Sequence, residues 1–166
     1  MEDLLTDERL EVVSDRLLLV LVGAEEAGDP LDENTAFQLS NHPHIRSLGW
    51  IDDPRGVYPA FDVLAFPSYR EGLPNVPLEA QMCGVPVVGY SATGTIDAVR
   101  SGETGLLVPI GDRVGLGDGL VNLMLDETGR RRMGMAGRHW VTTTFDQRLL
   151  WSELAESYRE WLSHAD

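Results

Sequence analysis

Asp62-Val-Leu-Ala-Phe-Pro67, Asn75-Val-Pro-Leu-Glu-Ala-Gln-Met-Cys-Gly84 and Pro86-Val-Val-Gly-Tyr90 follow one another in the chain, and their order decides the fold. The first is an apolar run of strand length ended by proline. In the second, Asn75 is placed to cap a helix, Pro77 falls in the first turn where its missing N–H costs nothing, and Gly84 stops it. The third is again an apolar run of strand length. Working outward, strands are expected at Leu17–Val22, Ile45–Gly49, Val63–Phe66, Pro86–Tyr90 and Leu106–Val108. Helices are expected at Asp32–Asn41, Pro54–Ala60, Val76–Cys83, Thr95–Ser101, Val114–Leu125 and Thr128–Val141. This alternation predicts an α/β fold, a Rossmann-like parallel sheet with helices on both faces.

The turn between the first strand and the helix carries the chemistry. Glu71 and Glu79 are separated by seven residues across Gly72-Leu-Pro-Asn-Val-Pro-Leu78. Glu71 falls just past the C-terminal edge of a strand, where open α/β sheets bind ligands. Glu79 lies in about the second turn of the helix. The segment Gly72-Leu73-Pro74-Asn75-Val76 presents unpaired N–H groups at the positive helix end, which suits a phosphate or a sugar hydroxyl. Ionised carboxylates are acceptors only, so vicinal diols are their natural neutral partners. A purely structural reading also exists, because glutamates complement helix N-termini and Gly/Pro/Asn clusters are ordinary turns.

The flanking sequence favours the functional reading. Pro67-Ser-Tyr-Arg-Glu-Gly-Leu-Pro-Asn-Val-Pro-Leu-Glu-Ala-Gln-Met-Cys-Gly-Val-Pro-Val-Val88, with Gly105-Leu-Leu-Val-Pro109 downstream, resembles the nucleotide-binding domain of family-4 retaining glycosyltransferases of the GT-B fold. The likeness runs from the Leu17 strand, through Leu48-Gly-Trp-Ile-Asp-Asp-Pro54, to Phe145 and the closing helix. Glu71-Gly-Leu-Pro-Asn-Val-Pro-Leu-Glu79 and Tyr90-Ser-Ala-Thr-Gly-Thr-Ile-Asp97 are similar to the subgroup that builds capsule and other surface polysaccharides. The resemblance implies that Glu79 binds the ribose hydroxyls and that Glu71, the catalytic candidate, faces the donor sugar. It further implies that Gly72, Leu73, Asn75 and Val76 supply amides for sugar and phosphate. Trp50 and Ile51 would lie beside the base. No cofactor and no metal is implied.

Composition agrees with that class. The 166 residues, 43% of them hydrophobic, are enough for a buried core without disulfide staples. The formal charge is −14, all 13 basic residues are arginine and lysine is absent. So acidic a surface repels nucleic acid, and Arg130-Arg-Arg132 reads as a solvated helical face. No run approaches the roughly 18 apolar residues of a membrane span, and Met1-Glu-Asp has no basic leader, so a cytoplasmic protein is expected. It would meet the inner face of the membrane only through its acceptor. Cys83, the single cysteine, is expected to be a buried, inert thiol. His42-Pro-His44 has no third ligand nearby to complete a metal site. Gly115-Leu-Gly-Asp-Gly119 is not a dinucleotide fingerprint, since Leu120 stands where the last glycine is needed.

The missing lysine marks a departure from the family, whose members carry an arginine and a lysine after the first strand of this domain to neutralise the donor diphosphate. Met1 to Asp15 reads as a helix leading into the Leu17 strand, so the first strand and its cationic loop are expected before Met1. Residues 1–145 are then the donor-binding domain. Residues 146–166 form a closing helix, capped by Asp146, whose Leu150, Trp151, Leu154, Tyr158, Trp161 and Leu162 make an apolar stripe. Ordinary packing on its own domain is the simplest fate of that stripe; an absent N-terminal domain is the other.

Three functions follow. The first is the donor-binding domain of a retaining glycosyltransferase that moves a sugar from a nucleotide-diphosphate donor, UDP-sugar favoured, to a glycan or lipid-linked acceptor. The others are a subunit of a split glycosyltransferase, and a non-catalytic remnant that binds a nucleotide or a protein. A GT-B enzyme closes two domains over its donor, so no turnover is expected of this chain alone. Loss of charge-assisted phosphate contacts, each worth about 1.5–3 kcal/mol, makes weak nucleotide binding the expectation.

Overall fold

The computed structural model describes Glu8, residues 17–25, Gly28 and residues 30–164. The helix expected over Met1–Asp15 therefore lies outside the described residues, Glu8 excepted. The chain divides into two compact units, 1–56 and 57–166.

In the first unit, β1 (Leu19–Leu21) pairs in parallel with β2 (Ile45–Ser47), Leu19 opposite Ile45 and Leu21 opposite Ser47. Helix α1 (Glu33–Asn41) connects them, and its N-terminus is capped by Asp32, whose Oδ1 accepts from the Thr35 N–H at 3.0 Å. The histidine pair holds the start of β2. His44 Nδ1 lies 2.9 Å from the Leu17 carbonyl oxygen, and the His44 N–H donates to His42 Nδ1 at 3.2 Å. Past the strand ends, the Gly23 N–H donates to the Gly49 carbonyl at 2.9 Å.

The helix expected over Pro54–Ala60 is instead two 3-10 turns, Pro54–Gly56 and Tyr58–Ala60. Pro59 is the physical reason: it has no N–H to donate and its ring disfavours the α conformation at Tyr58. The chain closes i→i+3 bonds instead, from the Ala60 N–H to the Val57 carbonyl and from the Phe61 N–H to the Tyr58 carbonyl, both 3.0 Å.

The second unit is built on three parallel strands, β3 (Leu64–Phe66), β4 (Val87–Tyr90) and β5 (Gly105–Val108), in the order β3-β4-β5. Leu64 faces Val87, and Val87 faces Gly105. All four residues of the central strand are buried, as a parallel strand covered by helices requires. The helices are α2 (Asn75–Met82), α3 (Thr95–Ala98), α4 (Arg113–Leu125), α5 (Glu127–Thr144) and α6 (Gln147–Ser163). Asp112, Asp126 and Asp146 cap the last three, accepting from the N–H groups of Gly115, Gly129 and Arg148, each at 2.8 Å. Each such cap contributes about 1 kcal/mol.

Helix α2, which carries Glu79, is gripped from several sides. Leu78 packs with Ala98, Trp140 and Val141, while Ala80 packs with Tyr58 and Val85. Gln81 is fully buried, and its Nε2 donates to the Pro77 carbonyl at 2.8 Å and to the Ala98 carbonyl at 2.7 Å, tying α2 to the end of α3. Gly134 of α5 lies against the Gly84 carbonyl with no room for a Cβ. Cys83 joins the Tyr58 cluster but is only half-buried, because it stands at the C-cap where α2 leaves the core.

Arg130 serves the fold. Its Nη1 donates to the carbonyls of Leu123 at 2.8 Å and Met124 at 3.0 Å, satisfying the last turn of α4, and Nη2 reaches Asp62 Oδ1 at 3.1 Å. Arg131 pairs with Glu127 at 2.6 Å. Helix α6 has no buried residue, so the expectation that its apolar stripe packs on its own domain fails for the described residues. Trp151 is 65% exposed and Trp161 69%.

Candidate functional site

Strand β3 ends at Phe66, and Pro67 follows it because a proline cannot extend the ladder. The loop 68–74 then passes beside the loop that follows β4. The Glu71 N–H donates to the Thr93 carbonyl at 3.1 Å. Gly94, at φ +80°, approaches so closely that a Cβ would collide with the Gly72 carbonyl oxygen and stand 2.8 Å from that of Glu71. Only glycine combines this backbone conformation with this approach. Tyr69 and Tyr90 meet edge to face at 5.5 Å, a further contact between the loop and the end of β4. The Glu71 backbone is thus fixed from the neighbouring strand.

Both carboxylates are half-buried, and each is held by a neutral hydroxyl. Ser68 Oγ donates to Glu71 Oε1 at 2.6 Å, and Tyr58 Oη donates to Glu79 Oε2 at 2.9 Å. Among the described residues neither glutamate is in an ion pair. A carboxylate offers about four lone-pair sites, so one hydroxyl leaves most of its acceptor capacity for a ligand's donors. Burial, and then the hydrogen bond it donates to Glu79, hold the Tyr58 phenol above its ordinary range, so it stays protonated.

The loop residues are open. Gly72, Leu73, Asn75 and Val76 are all exposed. Asn75 is not the helix cap. Pro74 occupies that place in extended conformation (φ −73°, ψ 127°), with no side-chain cap bond, and Asn75 is the first helical residue. Proline's fixed φ sets the chain up to enter the helix there. The amides of the first turn consequently have neither an intrahelical partner nor a side-chain cap. Trp50 and Ile51 belong to the first unit, 1–56. Trp50 is 74% exposed, and its Nε1 donates to Asp52 Oδ1 at 2.8 Å. Asp53 Oδ1 accepts from the Arg55 N–H at 3.2 Å, at the turn Pro54–Gly56.

Glu71, Gly72, Leu73, Asn75, Val76 and Glu79 therefore share one loop-to-helix segment at the C-terminal end of β3. Tyr58, Ser68 and Gly94 escaped the reading of the sequence. Ser68 had a signal, a hydroxyl three residues before a carboxylate. Gly94 had one in the segment Tyr90–Asp97. Tyr58 had none, since its partner lies 21 residues away.

Residues 3–126 match the family described as Glycosyl transferases group 1. The chain belongs to this family. Among its group 1 glycosyltransferase relatives, it is 34% identical over 148 residues to the capsular polysaccharide biosynthesis glycosyltransferase CapM of Staphylococcus aureus, covering 89% of this chain and 39% of CapM. It is 37% identical over 162 residues to the D-inositol 3-phosphate glycosyltransferase of Corynebacterium efficiens, covering 88% and 37%. Among solved structures it resembles Anabaena HepE in complex with UDP, with a TM-score of 0.79, 25% identity, and 87% of this chain covering 41% of that one. The sucrose-phosphate synthase of Thermosynechococcus elongatus gives a TM-score of 0.75 at 27% identity, covering 89% and 39%. The chain spans about two fifths of the length of the curated relatives it matches. Among the described residues, no helix is long and apolar enough to cross a membrane.

Proposed function

We propose that this chain is the donor-binding part of a retaining glycosyltransferase that moves a sugar from a nucleotide-diphosphate sugar to a glycan or lipid-linked acceptor. Glu79 holds the ribose hydroxyls. Glu71 faces the donor sugar near the reacting centre, and the exposed amides of Gly72, Leu73, Asn75 and Val76 receive sugar hydroxyls and phosphate at the positive end of α2. UDP is the favoured nucleotide, a choice supported by the UDP bound to HepE.

The observation that carries the proposal is the pair of half-buried carboxylates on one strand-to-helix turn, each held by a hydroxyl and neither neutralised by a cation among the described residues. A half-buried carboxylate with spare acceptor capacity suits a polyhydroxylated ligand better than it suits the fold. Chemistry needs a second surface over the donor, and the exposed Trp151/Trp161 stripe of α6 supports docking of an acceptor-binding part, whether in the same polypeptide or in a second chain. Ligand-observed NMR with UDP, GDP and ADP tests the reading. Saturation transfer to UDP, weaker for the other two and lost in Glu79→Ala, is expected. No transfer to any of the three would reject it.

A further inference from the structure

Among the described residues, Tyr58 is the one buried side chain that hydrogen-bonds either carboxylate of the pair. It is 5% exposed, sits in the 3-10 turn Tyr58–Ala60, and packs with Ala80 and Val85, its ring edge-on to Phe61 at 6.3 Å. A buried phenol must find an acceptor, and many arrangements would satisfy it with a backbone carbonyl. Here the acceptor is Glu79 Oε2, at 2.9 Å. Glu79 Oε1 accepts no hydrogen bond among the described residues.

We propose that Tyr58 is a positioning residue for nucleotide binding, locking the Glu79 carboxylate in the orientation that leaves Oε1 for the ribose 2′-hydroxyl. The inference rests on the reading of Glu79 as the ribose ligand. A glutamate on a helix surface has three free torsions, and fixing them in advance removes an ordering cost from ligand binding. The lock is stiff because Tyr58 is immobilised by packing, not by its hydroxyl. It is also one-directional: a phenol kept protonated by burial and by the adjacent carboxylate donates to Glu79 and never competes with the ligand's hydroxyls as a charged acceptor.

The test uses the whole chain and two nucleotides, UDP and 2′-deoxy-UDP, titrated calorimetrically into the wild type, Tyr58→Phe, Glu79→Ala and the double variant. A site built around a substrate hydroxyl discriminates against the analogue that lacks it. Tyr58→Phe is expected to weaken UDP binding about fivefold, the scale of one hydrogen bond, while leaving 2′-deoxy-UDP unchanged. In the Glu79→Ala background the same change should have no further effect. Equal weakening of both nucleotides by Tyr58→Phe would show a merely structural role and overturn the inference. So would wild-type discrimination that survives Tyr58→Phe but vanishes in Glu79→Ala, with the ribose reading left intact. If the wild type fails to discriminate and Glu79→Ala binds both nucleotides as the wild type does, the ribose reading itself falls, and the inference with it.

Discussion

Ser68 Oγ donates to Glu71 Oε1 at 2.6 Å, so the first carboxylate of the pair is oriented by a hydroxyl three residues before it on the same loop. Neither group is fully exposed. Ser68→Ala should leave the unfolding free energy within about 0.5 kcal/mol of wild type and UDP affinity within about twofold, since it disturbs only the loop. In an enzyme completed with an acceptor-binding part, transfer should fall about tenfold with little change in KM for the donor. Parallel measurement of kcat and KM checks the split.

Gly94 tests how the loop is held. Alanine there would drive a Cβ into the Gly72 carbonyl, at a φ of +80° that side chains rarely adopt. Gly94→Ala should cost about 2 kcal/mol or more in urea unfolding and abolish UDP binding, because the displaced backbone carries Gly72 and leads into the amides proposed to receive the phosphate. Gly102 is the matched comparison: its φ is +83°, yet nothing lies within 4 Å. Gly102→Ala should cost about 1 kcal/mol and leave binding untouched. The difference between the two isolates close approach from backbone strain.

The strand-helix order was readable from the chain because Val63–Phe66, Pro86–Tyr90 and the intervening helix that Gly84 stops are local patterns. Strands β1 to β4 are one or two residues shorter at an end than expected and β5 begins one residue earlier, because pairing and not composition sets the limit. Asn75 looked like a cap by residue type, but the cap position is a matter of φ and ψ, and Pro74 takes it. The Pro54–Ala60 helix broke at Pro59. What stayed hidden depends on contacts across the fold: Tyr58 with Glu79, Gly94 with Gly72, and the want of any cover for Trp151 and Trp161.

Trp151 and Trp161 should behave as solvent-exposed fluorophores, while Trp140, buried beside Phe145 at 5.4 Å, should resist acrylamide quenching. Replacing Trp151 and Trp161 by glutamine should change stability by no more than about 0.5 kcal/mol each and reduce concentration-dependent association in sedimentation velocity. A large loss of stability would mean that the α6 face is covered within the chain.

Alkaline stability should carry a signature of Tyr58. Burial, and then the bond to Glu79, raise its phenol above the ordinary value of 10.0. A phenol whose folded pKa lies above its unfolded one stabilises the fold fully below pH 10 and loses that contribution as pH rises beyond it. Wild-type unfolding free energy should therefore fall above about pH 10 more steeply than that of Tyr58→Phe. Parallel slopes for the two proteins would contradict the assignment.

The most direct measurement is calorimetric titration of UDP into the wild type, Glu79→Ala and Glu71→Ala. Glu79→Ala should weaken binding at least about tenfold through loss of the proposed ribose contacts, and Glu71→Ala should stay within about twofold, because its proposed partner is the sugar and not the nucleotide. Indistinguishable affinities for the wild type and Glu79→Ala would contradict the account.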